Sequence, residues 1–521
     1  MASQEKTTDR PSSEQKASVP SISLPKGGGA IRGMGEKFAA NPVTGTGSMS
    51  VPIATSPGRS GFAPQLSLSY DSGSGNGPFG FGWNLALPSI TRKTDKGLPQ
   101  YRDAEESDVF ILSGAEDLVP VLNKDDTRWS ATRTIDGVEY RIHRYRPRIE
   151  GLFARIERWT RLSDGDIHWR SISRDNVLTI YGKDANSRIA DPDDPARIFS
   201  WLICETRDDK GNAILYEYKP EDSTEIDLTQ AHERNRTPES RSAQRYLKRI
   251  KYGNRTPLLD NQGRRPAFLN AEQIQNTGWL FEVVFDYGEH NETVPTPVES
   301  QPWPVRPDPF SSYRAGFEVR TYRLCQRILM FHHIPDLSPS ERGYEGLVRS
   351  TDFTYAYEED PTSASNPVYS FLSRVTQCGY QREGAGYLKR TLPPLEFTYS
   401  QPQVQDIVEE VDAESLENLP AGLDGGNYQW TDLHGEGIPG ILTEQGGGWF
   451  YKRNLSPLPV EENGKEAVKA RFSSMEAVAV KPNLALATGA QFMDLAGDGQ
   501  PDLVVLEGPT PGLYEHDENE G

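Results

Sequence analysis

The sequence predicts an all-β protein of more than one domain. Three observations carry this. Short alternations of apolar and polar residues recur along most of the chain. Turn formers separate them, with 47 glycines and 39 prolines in 521 residues, a density that suits many strands joined by turns. No stretch holds the apolar periodicity of a long amphipathic helix. The length exceeds one ordinary core, so at least two domains are expected. Aromatics at 10% and charged residues at 25% give a globular composition.

Taken in order, residues 1–21 read as a disordered leader, polar throughout and without the apolar segment of a signal peptide. No run of 18 apolar residues occurs, so no membrane span is expected. Next comes SYDSGSGNGPFGFGW (69–83), in which Gly75, Gly77 and Gly80 match the dinucleotide fingerprint G-x-G-x-x-G. That fingerprint needs a strand leading in and a helix opening at the last glycine. Leu66, Leu68 and Tyr70 supply the strand, but Pro78, Gly82 and Pro88 forbid the helix. The glycines are expected to make a tight turn and close packing around Phe79, Phe81 and Trp83, and to bind no nucleotide.

In 138–161 arginines mix with aromatics. Such a stripe can bind single-stranded nucleic acid, but the alternation reads better as one face of a strand, with Glu139, Glu150 and Glu157 available to the arginines. Residues 190–197 carry several carboxylates, yet Pro192 and Pro195 make an ordinary surface turn of them. Residues 201–222 predict a hairpin: Trp201–Glu205, a turn at 208–212, then Ala213–Tyr218. Further strands are expected at 246–252, 280–287, 322–331, 352–358, 371–377 and 394–400. His332 and His333 are neighbours on a strand and face opposite ways, so they cannot readily share a metal. Cys204, Cys325 and Cys378 lie far apart and read as core residues. No nucleophile is paired with a base and no phosphate-loop or metalloprotease motif occurs; the nearest phosphate-loop match, Gly28 to Gly33, has Met34 where the lysine belongs. No enzyme activity is expected.

Texture changes after residue 400. Residues 401–427 are acidic and end in glycines, as a linker would. An internal repeat follows: YQWTDLHGEGIPGILT (428–443) aligns with AQFMDLAGDGQPDLVV (490–505), Asp432 with Asp494. Strand–turn–strand repeats of this size suggest propeller blades over 428–521. In the second copy Asp494, Asp498 and Asp502 occupy positions 1, 5 and 9 of a calcium-type loop. Ala496 fills position 3, and the first copy keeps only Asp432 and Glu436, with His434 and Gly440 elsewhere in the pattern. A Ca²⁺ site at Asp494, Asp498 and Asp502 is one reading; a glycine-driven turn is the other, and no other cofactor is expected. The net charge of −19 is concentrated here: residues 401–521 hold 22 acidic and 6 basic residues, a net of −16. That argues against nucleic acid and anionic membrane as partners of this part and permits a basic protein surface or a cation.

The stretch SLPKGGGAIRGMGEKFAANPVTGTGSMSVPIATSPGRSGFAPQLSLSYDSGSGNGPFGFGWNLALPSITRKTDKGLPQY (23–101) closely resembles the start of the SpvB domain, named for a Salmonella virulence-plasmid protein. So do SDVFILSGAEDLVPV (107–121), YRPRIEGLFARIERW (145–159) and LPPLEFTYS (392–400). The likeness covers residues 22–400. The repeat after 428, with GGGWFYKRNLSP (446–457), resembles the FG-GAP/VCBS-like propeller that follows in the B components of insecticidal Tc toxin complexes. The resemblance implies a non-catalytic assembly component. In that family the B component joins an Rhs-repeat C component in a β-rich shell around a toxic fragment, and the propeller docks on a channel-forming A component. It implies secretion without a recognisable signal peptide, from a cytoplasmic start. Family chains continue beyond the propeller, so a fragment or truncated product is expected. Two alternatives remain. The Salmonella namesake carries an actin-directed ADP-ribosyltransferase domain, which needs an E-x-E pair beside a strand; here Glu518 and Glu520 lie only in a polar chain end. FG-GAP propellers also serve as adhesins.

Overall fold

The structure, a computed structural model, describes residues 37–40, 46–113, 116–149, 151, 153–336, 338, 342–359, 369–399, 410–419, 428–458, 460–462, 465–467, 469–488, 490–495, 500–506 and 511–515. The leader 1–21, Gly28 to Gly33, Asp498 and the pair Glu518 and Glu520 lie outside the described residues. Two compact units emerge, Met1–Pro402 and Gln403–Gly521.

The first unit opens with β1 (Lys37–Ala40), β2 (Gly47–Ile53), β3 (Leu66–Asp71) and β4 (Trp83–Leu85), an antiparallel sheet in chain order. There follow β5 (Ser89–Arg92), β6 (Phe110–Leu112), β7 (Glu116–Pro120), β8 (Val138–Pro147), β9 (Arg155–Arg161), β10 (Ile167–Ile172), β11 (Leu178–Tyr181) and β12 (Ile198–Arg207). β5 pairs with β6, β6 with β7 and β7 with β8. The chain then zigzags through β9, β10 and β11 to β12, and β12 pairs back to β5. These pairings close a ring of eight antiparallel strands, and closure removes its edges. Phe110, Tyr145, Trp169 and Trp201 come from β6, β8, β10 and β12, alternate strands of the ring, and are at most 4% exposed. Phe110 lies 4.9 Å from Trp169 and 5.7 Å from Trp201, centroid to centroid. A barrel of eight strands is narrow enough for side chains to fill, and here bulky aromatics do so.

From β12 an antiparallel meander runs on through β13 (Ala213–Pro220), β14 (Arg245–Asn254), β15 (Trp279–Asp286), β16 (Arg327–Ile334), β17 (Tyr344–Tyr355), β18 (Leu372–Glu383) and β19 (Gly386–Thr391). The 201–222 hairpin is β12 and β13. Its turn is set by Asp208, whose Oδ1 accepts the N–H of Lys210 and of Asn212 at 2.9 and 2.8 Å. Helices among the described residues are short, the longest being Ala271–Asn276. Three expected strands shift, that at 394–400 shrinking to Leu395–Glu396 among the described residues. Residues 322–326 precede β16 rather than joining it, and 356–358 turn helical after β17 at Ala356–Glu359.

In the second unit the first repeat forms β20 (Tyr428–Thr431), β21 (Gly440–Gln445) and β22 (Gly448–Lys452), and the second forms β23 (Gln491–Met493), β24 (Asp502–Val505) and β25 (Gly512–Tyr514). Each set is an antiparallel meander. They share one apolar core through Leu433, Leu442, Trp449, Leu486, Leu503 and Val505. Part of the expected linker belongs to this unit: a helical turn at Ala413–Leu416 is pinned by Lys452, whose Nζ donates to the Glu417 carbonyl at 3.0 Å.

Candidate functional site

The glycine-rich run joins distant parts of the first unit. Asn76–Gly77 and Gly80–Phe81 form a minimal hairpin. Gly80 and Gly82 have φ of +96° and +79°, the region glycine favours. A Cβ at Gly80 would sit 2.4 Å from the Ser370 carbonyl oxygen, and one at Gly82 would sit 2.4 Å from the Tyr70 ring. The backbone presses against residues hundreds of positions away: Phe81 N–H donates to Ser370 at 2.9 Å and Cys325 N–H to Pro78 at 2.8 Å. The buried guanidinium of Arg306 donates to the Gly77 carbonyl and pairs with Asp308 at 2.8 Å. Asp308 in turn accepts from Asn76 Nδ2 at 2.7 Å and from Ser370 N at 2.8 Å. Phe79 is buried edge-on against Phe353, and the Trp83 indole N–H donates to the Tyr399 hydroxyl at 2.7 Å. No helix starts at these glycines. The run works as a structural clasp, and a phosphate-binding turn is not formed.

Buried charges are numerous, and many are paired. Arg92 lies inside the barrel, bonded to Asp103 and Asp108, each at 2.7 Å, and beneath the Tyr101 ring. Arg323 pairs with Glu221, both fully buried. Glu157 takes Arg155 at 3.1 Å and Arg144 at 3.7 Å, the strand-face partnership expected of it; Glu139 is exposed and Glu150 lies outside the described residues. A buried charge without such a partner would be costly, so these clusters read as architecture. Sequence reasoning missed Arg306, Arg323 and Arg92, whose partners are remote or in loops; the one local signal is the run PVRPDPF (304–310).

The histidine pair divides as expected. His332 Nε2 meets Ser56 Oγ at 2.6 Å, while His333 bridges Glu282 at 3.0 Å and Glu345 at 2.6 Å. All three cysteines are free and buried. Burial pushes the Cys204 thiol up to about 12 and Cys378 up to about 11, the reverse of a nucleophile's need.

Of the calcium-loop residues, Asp494 is exposed in the turn after β23 and Asp502 is buried at the start of β24, where its Oδ2 accepts the Leu495 N–H at 3.0 Å. Among the described residues no cluster of three or more His, Cys, Asp or Glu side chains forms a cation site. In the first copy Asp432 spends both oxygens on its own turn, accepting the N–H of Glu436 at 2.9 Å and of Gly437 at 2.5 Å. Glu436 pairs instead with Arg453.

Residues 41–334 match the family described as Salmonella virulence plasmid 65kDa B protein, SpvB. The chain belongs to this family. Among its relatives, the mono(ADP-ribosyl)transferase SpvB of Salmonella choleraesuis is 37% identical over 384 residues, covering 72% of this chain and 59% of that protein. The Salmonella typhimurium strain 14028s protein of that name is 37% identical over 372 residues, 70% of this chain and 57% of its own length. The chain thus spans under two thirds of the length of these curated relatives. Among solved structures, a chain of the Photorhabdus luminescens Tc holotoxin pore superposes with a TM-score of 0.75 at 32% identity, over 97% of this chain and 22% of that one. The TcdB2-TccC3 crystal structure gives a TM-score of 0.71 at 32% identity, over 94% of this chain and 22% of that one. The N-terminal domain of effector SpvB from Salmonella typhimurium strain LT2 gives 0.55 at 36% identity, over 64% of this chain and 98% of that domain.

Proposed function

We propose that this chain is the N-terminal segment of a Tc-type toxin B component: a non-catalytic part of the β-rich shell that encloses and delivers a toxic effector. The observation that carries this is the extent of likeness. The effector's N-terminal domain accounts for 64% of the chain, whereas the Tc holotoxin chain accounts for 97%. The acidic second unit therefore has its counterpart in the toxin complex. On this reading residues 428–521 begin an FG-GAP/VCBS-like propeller that meets a channel-forming A component, and the first unit contributes wall to a shell shared with an Rhs-repeat C component. Such a chain is released from the cytoplasm with its complex and acts outside the cell. The filled barrel, matched buried charges and raised thiol pKa values support a structural role.

A second reading is the delivery region of an SpvB-like ADP-ribosyltransferase, which the 37% identity to those enzymes favours. Incubation of the purified chain with actin and labelled NAD⁺ separates activity from its absence. No transfer of label is expected. Transfer abolished by a single point substitution would overturn the non-catalytic assignment.

A further inference from the structure

Three neighbouring strands of the first unit place two arginines on either side of a glycine. Arg349 on β17 lies directly opposite Gly379 on β18, and Gly379 directly opposite Arg390 on β19. Residues opposite one another across a sheet share a face, and two strand spacings put the arginine backbones about 10 Å apart. Gly379 leaves the floor between them bare, since a Cβ there would meet nothing within 4 Å. Over this row lies a cavity of about 330 Å³ lined by both arginines together with Gln377, Thr391, Leu392 and Ala54. No carboxylate is among its walls.

Other cations of the same strands have partners: Arg374 pairs with Glu359 and Glu396, Lys389 pairs with Asp352 at 2.8 Å, and Arg382 donates to the Glu345 backbone carbonyl at 2.6 Å. Among the described residues neither Arg349 nor Arg390 has an ion-pair partner. In a chain of net charge −19 this is a built concentration of positive charge.

We propose that the Arg349–Gly379–Arg390 row is a binding site for the dianionic phosphate group of a small phosphate-bearing ligand. Guanidinium forks match phosphate oxygens bidentately, and two arginines lining one cavity on either side of a glycine suit a doubly charged, tetrahedral group better than a single carboxylate. Gln377 and Thr391 add neutral polar groups, and Leu392 and Ala54 give an apolar wall for the ligand's carbon part.

Calorimetric titration of the full chain with inorganic phosphate, and separately with glycerol phosphate, tests this; tighter binding of the ester assigns the site to organic phosphates, and equal binding to free phosphate. Saturable binding is expected with either. Arg349→Gln and Arg390→Gln should each weaken it at least tenfold, and Arg374→Gln, outside the cavity, should leave it unchanged. Hydrogen exchange on the unsubstituted chain gives an independent readout, with phosphate slowing exchange around Gly379. Absence of saturable binding, or binding and protection indifferent to both arginines, overturns the proposal.

Discussion

His333 is held between two carboxylates, and its charge therefore contributes to stability. The hydrogen bond His333 donates to Glu282 raises its pKa most, with Glu345 adding to it against the cost of burial. A raised histidine pKa gives stability that is fully present below the unfolded value, about 6.5, and is lost as pH rises through the folded value. His333→Gln should lower the melting temperature most in mildly acidic buffer, and the gap to the unsubstituted chain should close toward alkaline pH. A gap constant across that range would show that the carboxylates do not hold the charge. At this scale the sequence was legible where partners are local. The alternation at 332–333 foretold that the two rings part. The partners of Arg323 and Arg92 were not, because ion pairing across separate segments leaves no local pattern, whereas Arg306 and its partner Asp308 stand two residues apart within one run.

At the scale of elements, the glycine run and the aspartate turns can each be tested by paired substitutions. Gly80→Ala meets both a positive φ and the Ser370 carbonyl; left-handed strain alone costs about 1–3 kcal/mol, and the overlap adds to it. Gly75, whose Cβ would meet nothing within 4 Å, is the control, and Gly75→Ala should change stability by less than about 0.5 kcal/mol. Equal effects at both would remove the clasp from the account. For the turn at Asp502 we expect structure rather than cation binding. Removing the buried acceptor of Leu495 N–H in Asp502→Ala should cost about 1–3 kcal/mol, equally in chelator and in millimolar Ca²⁺. A melting temperature that rises with Ca²⁺ in the unsubstituted chain and not in Asp498→Asn would instead make the loop a calcium site. Most strands were readable from alternation and turn residues, the 201–222 hairpin above all. The closed barrel was not. Its seams, β5 with β12 and β7 with β8, join strands whose order in the ring is fixed by tertiary pairing. Residues 322–326 and 356–358 carry strand-like composition but lie where the chain leaves one strand for the next.

For the molecule as a whole, composition changes near residue 400, and the chain forms two compact units, Met1–Pro402 and Gln403–Gly521. The acidic texture misled about where the linker stops, because a charged surface and a linker look alike in sequence; the turn at Ala413–Leu416 is held by Lys452 within the second unit. On the proposed function, this second unit, with its net charge of −16 over residues 401–521, gives the chain its place in a toxin complex. The direct measurement is the association rate of the purified chain with an immobilised channel-forming A component, across increasing salt, beside a version ending at Pro402. Binding by the 521-residue chain is expected, slowing as salt screens its charge over a Debye length of about 8 Å at physiological ionic strength, with none by the shortened form. Equal binding by both forms, or no binding by the full chain, would contradict it.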